Sequence, residues 1–119
     1  MANKNTESTR YYSDAQEKSV CKALGANQTP NSGAGLWTKG DVIQREAKML
    51  IECKTCIEPK NSFSIKKDWI EKNRLETFEM RLNDSAIAFN FGPSEPNYYV
   101  INEKLMKFLV EKLIEEYDN

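Results

Sequence analysis

The chain has 119 residues, of which 39% are hydrophobic, so its apolar content suffices for the core of one domain and is too small for two. No run approaches the ~20 apolar residues of a membrane span, and the segment MANKNTESTR lacks the apolar stretch of a signal peptide, so we expect a cytoplasmic protein without a membrane partner. The net charge of −1 is unusual for a protein that binds nucleic acid, because such proteins usually carry a strongly basic face.

Histidine is absent, and the three cysteines do not suggest a metal or redox site. Cys53 and Cys56 form a C-x-x-C pair, but structural zinc usually takes four Cys or His ligands and only Cys21 remains. A redox role is disfavoured because Cys53 lies within a predicted strand, whereas reactive pairs favour helix N-termini. Without His there is no Ser-His or Cys-His nucleophile, so any catalysis must use carboxylates, lysines and a metal ion.

The first predicted element is a helix that begins at Ser13. Residues 1–10 are polar, and we expect them to form a flexible tail before a single domain over 11–119. Ser13 and Gln16 form a capping box that predicts the start of the helix. Its apolar positions are Val20, Cys21 and Leu24, and Glu17 shares their face, which points a carboxylate inward.

Two strand-like runs follow the helix, over 39–44 and 48–55. Their spacing predicts a hairpin that turns near 45–47. The run 65–82 is rich in strong helix formers and has no Gly or Pro, which predicts a second helix. Its apolar residues are Ile65, Trp69, Leu75, Phe78 and Leu82, an imperfect helical stripe.

The last third of the chain predicts two more strands and a final helix. The strands are expected over 85–91 and 98–101, and Asn102 is expected to cap the helix. The final helix has a row of apolar residues four apart: Leu105, Leu109, Leu113 and Tyr117. Strands interleaved with helices indicate an α/β domain with a central mixed sheet flanked by helices, in the order α-β-β-α-β-β-α.

Charged residues of the predicted hairpin suggest a metal site. Asp41 lies at the end of the first strand, and the second strand carries Glu52 and Lys54, which share one face because they are two residues apart. Charged groups on a strand that otherwise has a buried pattern are costly unless they are paired or bind metal. Taken alone, Glu52 and Lys54 are equally consistent with an ordinary exposed pair, and Asp41 with a turn residue.

The wider pattern resembles a known family. The segments S-G-A-G at 32–35, G-D-V at 40–42 and I-E-C-K-T at 51–55, with Glu17 upstream, are similar to Holliday junction resolvases of archaea and phages, which have the PD-(D/E)xK nuclease core. The resemblance covers residues 11–117, although Gly40 stands where the general motif has Pro.

The resemblance implies a mechanism and a set of partners. It implies a Mg²⁺ ion, for which Mn²⁺ can substitute, bound by Asp41, Glu52, the backbone carbonyl of Cys53 and Glu17. It further implies that Lys54 activates water or stabilises charge at the phosphate, and that Ser32 approaches the scissile phosphate. The expected protein is a homodimeric endonuclease that cuts branched DNA, specifically four-way junctions, in a bacterial, archaeal or phage-infected cell.

Several basic side chains are candidates for contacts with DNA phosphates. They are Lys39, Lys66, Lys67, Lys72 and Arg74, for which a solvated helix face is the alternative interpretation. Two other functions remain open. The chain could be another nuclease on the same core, of a nicking, repair or restriction type, or a catalytically inactive DNA-binding protein that keeps the fold.

Overall fold

The computed structural model describes residues 2–29 and 41–118, with side chains of the first segment described from Tyr11 onward. The elements in chain order are α1 (Ala2–Leu24), β1 (Asn27–Gln28), β2 (Asp41–Gln44), β3 (Met49–Lys54), α2 (Lys67–Glu79), β4 (Asp84–Phe89), β5 (Tyr98–Val100) and α3 (Glu103–Asp118). The five strands form one sheet in the order β1-β2-β3-β4-β5. Only the pair β3–β4 is parallel, so the predicted α/β class with a mixed sheet is confirmed.

The predicted hairpin of β2 and β3 is confirmed. The two strands pair antiparallel, with Asp41 opposite Glu52 and Ile43 opposite Leu50. A tight turn joins them, closed by a hydrogen bond of 3.1 Å from the Lys48 N–H to the Arg45 carbonyl. The register therefore places the two carboxylates of the predicted site side by side.

Helix α1 packs on one face of the sheet and α2 on the other. Val20 of α1 is fully buried against alternate residues of three strands: Val42, Ile51, Ala86 and Ala88. The intervening residues, which include Ile43, Leu50, Glu52 and Ile87, lie on the opposite face because side chains alternate along a strand. Helix α2 connects β3 to β4 on that second face, as a parallel strand pair requires a crossover connection.

Helix α1 begins at Ala2, so the predicted start at Ser13 is wrong. Residues 2–12 contain no Gly or Pro, and nothing in the sequence ends a helix there. Gln16 is consequently an interior helical residue rather than part of a capping box. Its buried amide donates hydrogen bonds to the carbonyls of Lys54, at 2.8 Å, and Ala88, at 3.3 Å, which fixes α1 across β3 and β4. The flexibility of the predicted tail, residues 1–10, stays a prediction.

The two-residue strand β1 is an addition to the predicted order, and it pairs with β2 at the edge of the sheet. At the other end of the chain, the Asn102 cap is confirmed, since its side-chain oxygen accepts a hydrogen bond of 2.8 Å from the Leu105 N–H. Among the described helices, none combines the length and the apolar character that crossing a membrane requires.

Candidate active site

The face of the sheet beneath α2 carries a cluster of buried carboxylates. Asp41 and Glu52 are directly opposite each other in the β2–β3 ladder and are 3% and 7% exposed. Like charges in such a position destabilise a sheet. Oδ2 of Asp41 and Oε2 of Glu52 are also buried without a hydrogen-bond partner. Two buried acceptors without donors, side by side, form an environment that favours a cation.

Glu76 of α2 is a third member of this cluster, and the sequence analysis missed it. Its side chain is buried, and its carboxyl group is close enough to Asp41 to raise the pKa of that residue. Asn73 and Thr77 are buried beside it, and Asn73 donates a hydrogen bond of 2.9 Å to the Ala86 carbonyl. The inner face of α2 is therefore polar where it lies over the sheet.

The proximity of these groups changes their protonation. Burial and the nearby carboxyl group of Glu76, with a smaller contribution from Glu52, raise the pKa of Asp41 to about 9. Burial also raises the pKa of Glu52, although Lys54 and Lys72 act in the opposite direction. In the absence of a cation, folded Asp41 thus holds a proton that it releases in an unfolded chain.

This shift predicts how the stability of the metal-free protein depends on pH. Between the ordinary pKa of 3.8 and about 9, folded Asp41 holds a proton that unfolded Asp41 has lost. The free energy of unfolding should therefore decrease as the pH rises through this range. Thermal unfolding in EDTA from pH 5 to 8.5 measures the slope, and Asp41→Asn should flatten it. If the stability of the wild type and of Asp41→Asn changed equally with pH, the raised pKa could not belong to Asp41.

Lys54 lies beside the carboxylates on the same face, as predicted. Its Nζ is 3.8 Å from Oε1 of Glu52 and 4.5 Å from the ring centre of Trp69, so the ammonium group lies between an anion and an aromatic face. The ring of Trp69 is 6.3 Å from Phe63, which stacks on Phe89 at 5.3 Å. An aromatic cluster therefore restricts where the ammonium group can move, a role for Trp69 that the sequence analysis did not assign.

The second lysine near the cluster is Lys72. Its Nζ is 3.9 Å from Oε1 of Glu76, one helical turn away on α2. Lys72 was predicted to contact DNA, and the structure places it at the rim of the carboxylate cluster. Lys54 and Lys72 together partly offset the negative charge of the three carboxylates.

The remaining predicted DNA-binding residues of α2 are divided between two sides of the helix. Lys66 precedes the helix, and its Nζ is 5.7 Å from the ring centre of Trp69, on the side of the site. Lys67 pairs with Glu71 at 3.8 Å. Helical spacing places Arg74, which is exposed, on the same outward side as Lys67. Their contact with DNA stays a prediction.

Glu17 is not brought to the carboxylate cluster. Its side chain accepts a hydrogen bond of 3.1 Å from the amide of Gln28, which is opposite Val42 and therefore on the α1 face of the sheet. Its pKa is raised by burial and, to a smaller extent, by Asp14. The charges that act on Asp41 are instead those of Glu76, Glu52 and Lys72.

Three other predicted site positions have a limited structural description. Ser32 and Lys39 lie outside the described residues. Cys53 lies between Glu52 and Lys54, but its side chain packs against the α1 core, and burial raises the pKa of its thiol. A raised pKa disfavours the thiolate that metal binding or redox chemistry requires. The role of the Cys53 backbone carbonyl stays a prediction.

The donor set of the cluster fits Mg²⁺. Mg²⁺ prefers oxygen ligands, is usually held by one or two carboxylates and retains several water molecules. Asp41 and Glu52, each with an oxygen that has no hydrogen-bond partner, supply two such carboxylates. In the described part of the chain, no group of three or more Asp, Glu, Cys or His side chains is arranged to hold a metal ion. A site with two protein ligands and bound water is consistent with both observations.

The comparisons with known proteins identify no relative. No family model, no curated protein and no solved structure matches the chain.

Proposed function

We propose that the protein is a Mg²⁺-dependent endonuclease that hydrolyses phosphodiester bonds of DNA. The observation that supports this function best is the pair of buried carboxylates, Asp41 and Glu52, each of which has one oxygen without a hydrogen-bond partner. The ammonium group of Lys54 lies 3.8 Å from the other oxygen of Glu52. Paired carboxylates with an adjacent lysine provide what phosphodiester hydrolysis needs, which is a cation site and a positive charge near the phosphate. The PD-(D/E)xK core is the fold we assign to this arrangement.

The role that we propose for each side chain follows from its position in or beside the carboxylate cluster. Asp41 and Glu52 would hold the metal ion, and Glu76 would accept hydrogen bonds from water molecules bound to that ion. A bound Mg²⁺ lowers the pKa of water and neutralises charge at a phosphate oxygen. Lys54 would orient the attacking water or stabilise the negative charge that develops on the phosphate. Glu17 has no part in this assignment, because its contacts lie on the α1 face.

Trp69 is proposed to position Lys54. Replacing Trp69 by Leu removes the aromatic face 4.5 Å from the ammonium group and leaves the carboxylates in place. We expect about a tenfold loss of single-turnover cleavage rate, because a cation–π contact of this kind is worth roughly 1–2 kcal/mol. The stabilisation by Mg²⁺ should be unchanged, which thermal unfolding measures. Trp69→Phe should restore most of the rate, whereas an equal loss in both variants would contradict the positioning role.

The proposed substrate is a four-way DNA junction, cut by a homodimer. This part of the proposal rests on the resemblance to Holliday junction resolvases, and a homodimer would place one site against each of two strands. The alternatives are another nuclease with the same core and an inactive DNA-binding protein. The buried carboxylates, each with one oxygen that has no hydrogen-bond partner, favour an active enzyme, since an inactive scaffold has no use for them.

A competition experiment separates these substrates. The protein is incubated with a labelled four-way junction and an equal amount of linear duplex, in Mg²⁺, Ca²⁺ or EDTA. A resolvase should make symmetric cuts in the junction in Mg²⁺ and spare the duplex. Ca²⁺ should support binding without efficient cleavage, because its larger and looser shell holds the water poorly. Equal cutting of both DNAs would retain the nuclease and reject the resolvase.

A further inference from the structure

The aromatic side chains beside Lys54 continue across the sheet to its edge. Phe89 is opposite Lys54 in the β3–β4 ladder, and Tyr98 is opposite Phe89 in the β4–β5 ladder. The three side chains therefore form one row on the face of the sheet that carries the carboxylate cluster. We call the five rings in and beside this row the aromatic strip, in which neighbouring ring centres are 5.3–6.3 Å apart. They belong to Phe63, Trp69, Phe89, Phe91 and Tyr98.

The aromatic strip is accessible to solvent along its whole length. None of its five side chains is buried, and Tyr98, at the end away from Lys54, is 51% exposed. Strand β5, which carries Tyr98, is the edge strand of the described sheet. Contiguous apolar surface of this kind, bordered by polar groups, is typical of an interaction site.

Three lysines border the aromatic strip. The ammonium groups of Lys54 and Lys66 are 4.5 Å and 5.7 Å from the ring centre of Trp69. The backbone N–H of Lys60 donates a hydrogen bond of 2.8 Å to the Phe91 carbonyl. Among the described residues, neither Lys60 nor Lys66 takes part in an ion pair.

This combination of rings and cations favours a nucleic-acid strand as the occupant. Proteins bind single strands by stacking bases on aromatic rings while cationic side chains contact the phosphates. An apolar peptide or a second protein surface would cover the rings but would supply no anion to the lysines. The charges of Lys60 and Lys66 therefore distinguish between these occupants.

We propose that the aromatic strip binds unpaired nucleotides of the DNA strand that is cut, with a base stacked on Tyr98. This inference rests on the proposed nuclease function, because Lys54, which borders the strip, is the lysine assigned to cleavage. Neighbouring strands of a sheet are about 4.8 Å apart, so Tyr98 is ~10 Å from Lys54 across the sheet. Nucleotides next to the scissile phosphate can reach that far.

The aromatic strip would also favour particular DNA structures. A base can stack on a protein ring only after it leaves its own stack, and this costs least where the base is mismatched or already single-stranded. We therefore expect tighter binding to DNA with unpaired nucleotides beside the cut than to a continuous duplex. The ends of base-paired arms at a branch point are one source of such nucleotides.

Fluorescence anisotropy of a labelled oligothymidylate of about ten nucleotides tests the binding. The titration is done in EDTA, so that a bound metal ion makes no contribution. The wild type should bind the oligothymidylate more tightly than a fully paired duplex of the same length. Tyr98→Leu should weaken binding of the oligothymidylate about tenfold, because it removes the ring on which a base stacks. The matched control is Tyr117→Leu on α3, which is 83% exposed and should bind like the wild type.

A second variant, Tyr98→Trp, reports stacking directly. It keeps an aromatic ring at the same place, so it should bind the oligothymidylate at least as tightly as the wild type. Binding should quench more tryptophan fluorescence in this variant than in the wild type. Far-ultraviolet circular dichroism of each variant verifies the fold.

Three results would overturn the proposed nucleotide site. The first is an unchanged affinity of folded Tyr98→Leu for the oligothymidylate, and the second is an equal loss of affinity for oligothymidylate and duplex. The third is a lower mass of Tyr98→Leu in sedimentation velocity with unchanged oligothymidylate affinity, which would mean that the aromatic strip contacts another protein chain.

Failure of the nucleotide site and failure of the nuclease proposal give different results. If the wild type binds the oligothymidylate through Tyr98 but cuts no DNA in Mg²⁺, the nucleotide site is retained and the nuclease is rejected. If the wild type cuts DNA in Mg²⁺ and Tyr98→Leu alters neither binding nor cleavage, the nucleotide site alone is rejected.

Discussion

Replacing Lys54 by alanine is expected to abolish most DNA cleavage and to leave the fold intact. Its ammonium group lies 3.8 Å from Oε1 of Glu52 and 4.5 Å from the ring centre of Trp69. If Lys54 stabilises charge that develops in the transition state, its removal should slow the reaction by ~10²–10³-fold. Single-turnover cleavage at saturating protein measures this loss without a contribution from binding.

Two measurements separate a catalytic role of Lys54 from a structural one. The Mg²⁺-dependent increase in thermal stability should persist in Lys54→Ala, because Asp41 and Glu52 are still present. The matched control is Lys18→Ala, which removes an exposed lysine paired with Asp14 and should cleave at nearly the wild-type rate. Wild-type cleavage by Lys54→Ala would show that Lys54 is not part of the site.

Replacing Asp41 by asparagine should raise the stability of the metal-free protein and abolish DNA cleavage. The substitution removes one of two adjacent buried carboxylates, so the metal-free protein should become more stable at pH 8, with a melting temperature raised by ~3 °C or more. Mg²⁺ at ~100 times its dissociation constant should stabilise the wild type by about 2.7 kcal/mol and the variant very little. Cleavage should be lost, because the carboxylate that binds the metal ion is missing.

The control for Asp41→Asn is Asp14→Asn on α1. Asp14 is exposed and paired with Lys18 at 2.9 Å, so its loss should alter stability only slightly and leave the Mg²⁺ response unchanged. A gain in stability without loss of the Mg²⁺ response in Asp41→Asn would mean that the metal ion binds elsewhere. An equal stabilisation of the wild type, Asp41→Asn and Asp14→Asn by Mg²⁺ would also contradict the proposed site.

The part of the site that the sequence predicts is the part encoded by short-range patterns. Alternation along β3 places Glu52 and Lys54 on one face, and the short hairpin sets Asp41 opposite Glu52. Both features depend on residues fewer than fifteen positions apart, where strand periodicity and turn length determine the register. The same locality explains why the Asn102 cap, which accepts from an N–H three residues away, was predicted correctly.

Glu76 was missed because it joins the site through tertiary packing. The predicted stripe on α2 relied on Leu75 and Phe78, yet these are 58% and 79% exposed, and α2 instead turns Asn73, Glu76 and Thr77 toward the sheet. A helix over a carboxylate site needs polar groups on its inner face, which reverses the usual rule that apolar residues face inward. The signal was present in the sequence as three polar residues at positions i, i+3 and i+4 of a helix, namely Asn73, Glu76 and Thr77.

The metal-binding role of Glu17 stays a prediction. Its spacing on α1 correctly places it near the sheet, and burial raises its pKa. Periodicity does not tell which face of the sheet a helix covers, and α1 covers the face opposite Glu52 and Lys54. A contact with Gln28, on a strand too short to be predicted, accounts for its position.

The most direct test of the proposed nuclease site is DNA hydrolysis by wild-type and Asp41→Asn proteins purified in parallel. Each is incubated with a labelled four-way junction in Mg²⁺, Mn²⁺ or EDTA, and the cut strands are resolved on a denaturing gel. We predict cuts by the wild type in Mg²⁺ and Mn²⁺, none in EDTA, and none by the variant under any condition. No cleavage by the wild type with either metal, or equal cleavage by both proteins, would contradict the assignment of Asp41, Glu52 and Lys54 as a nuclease site.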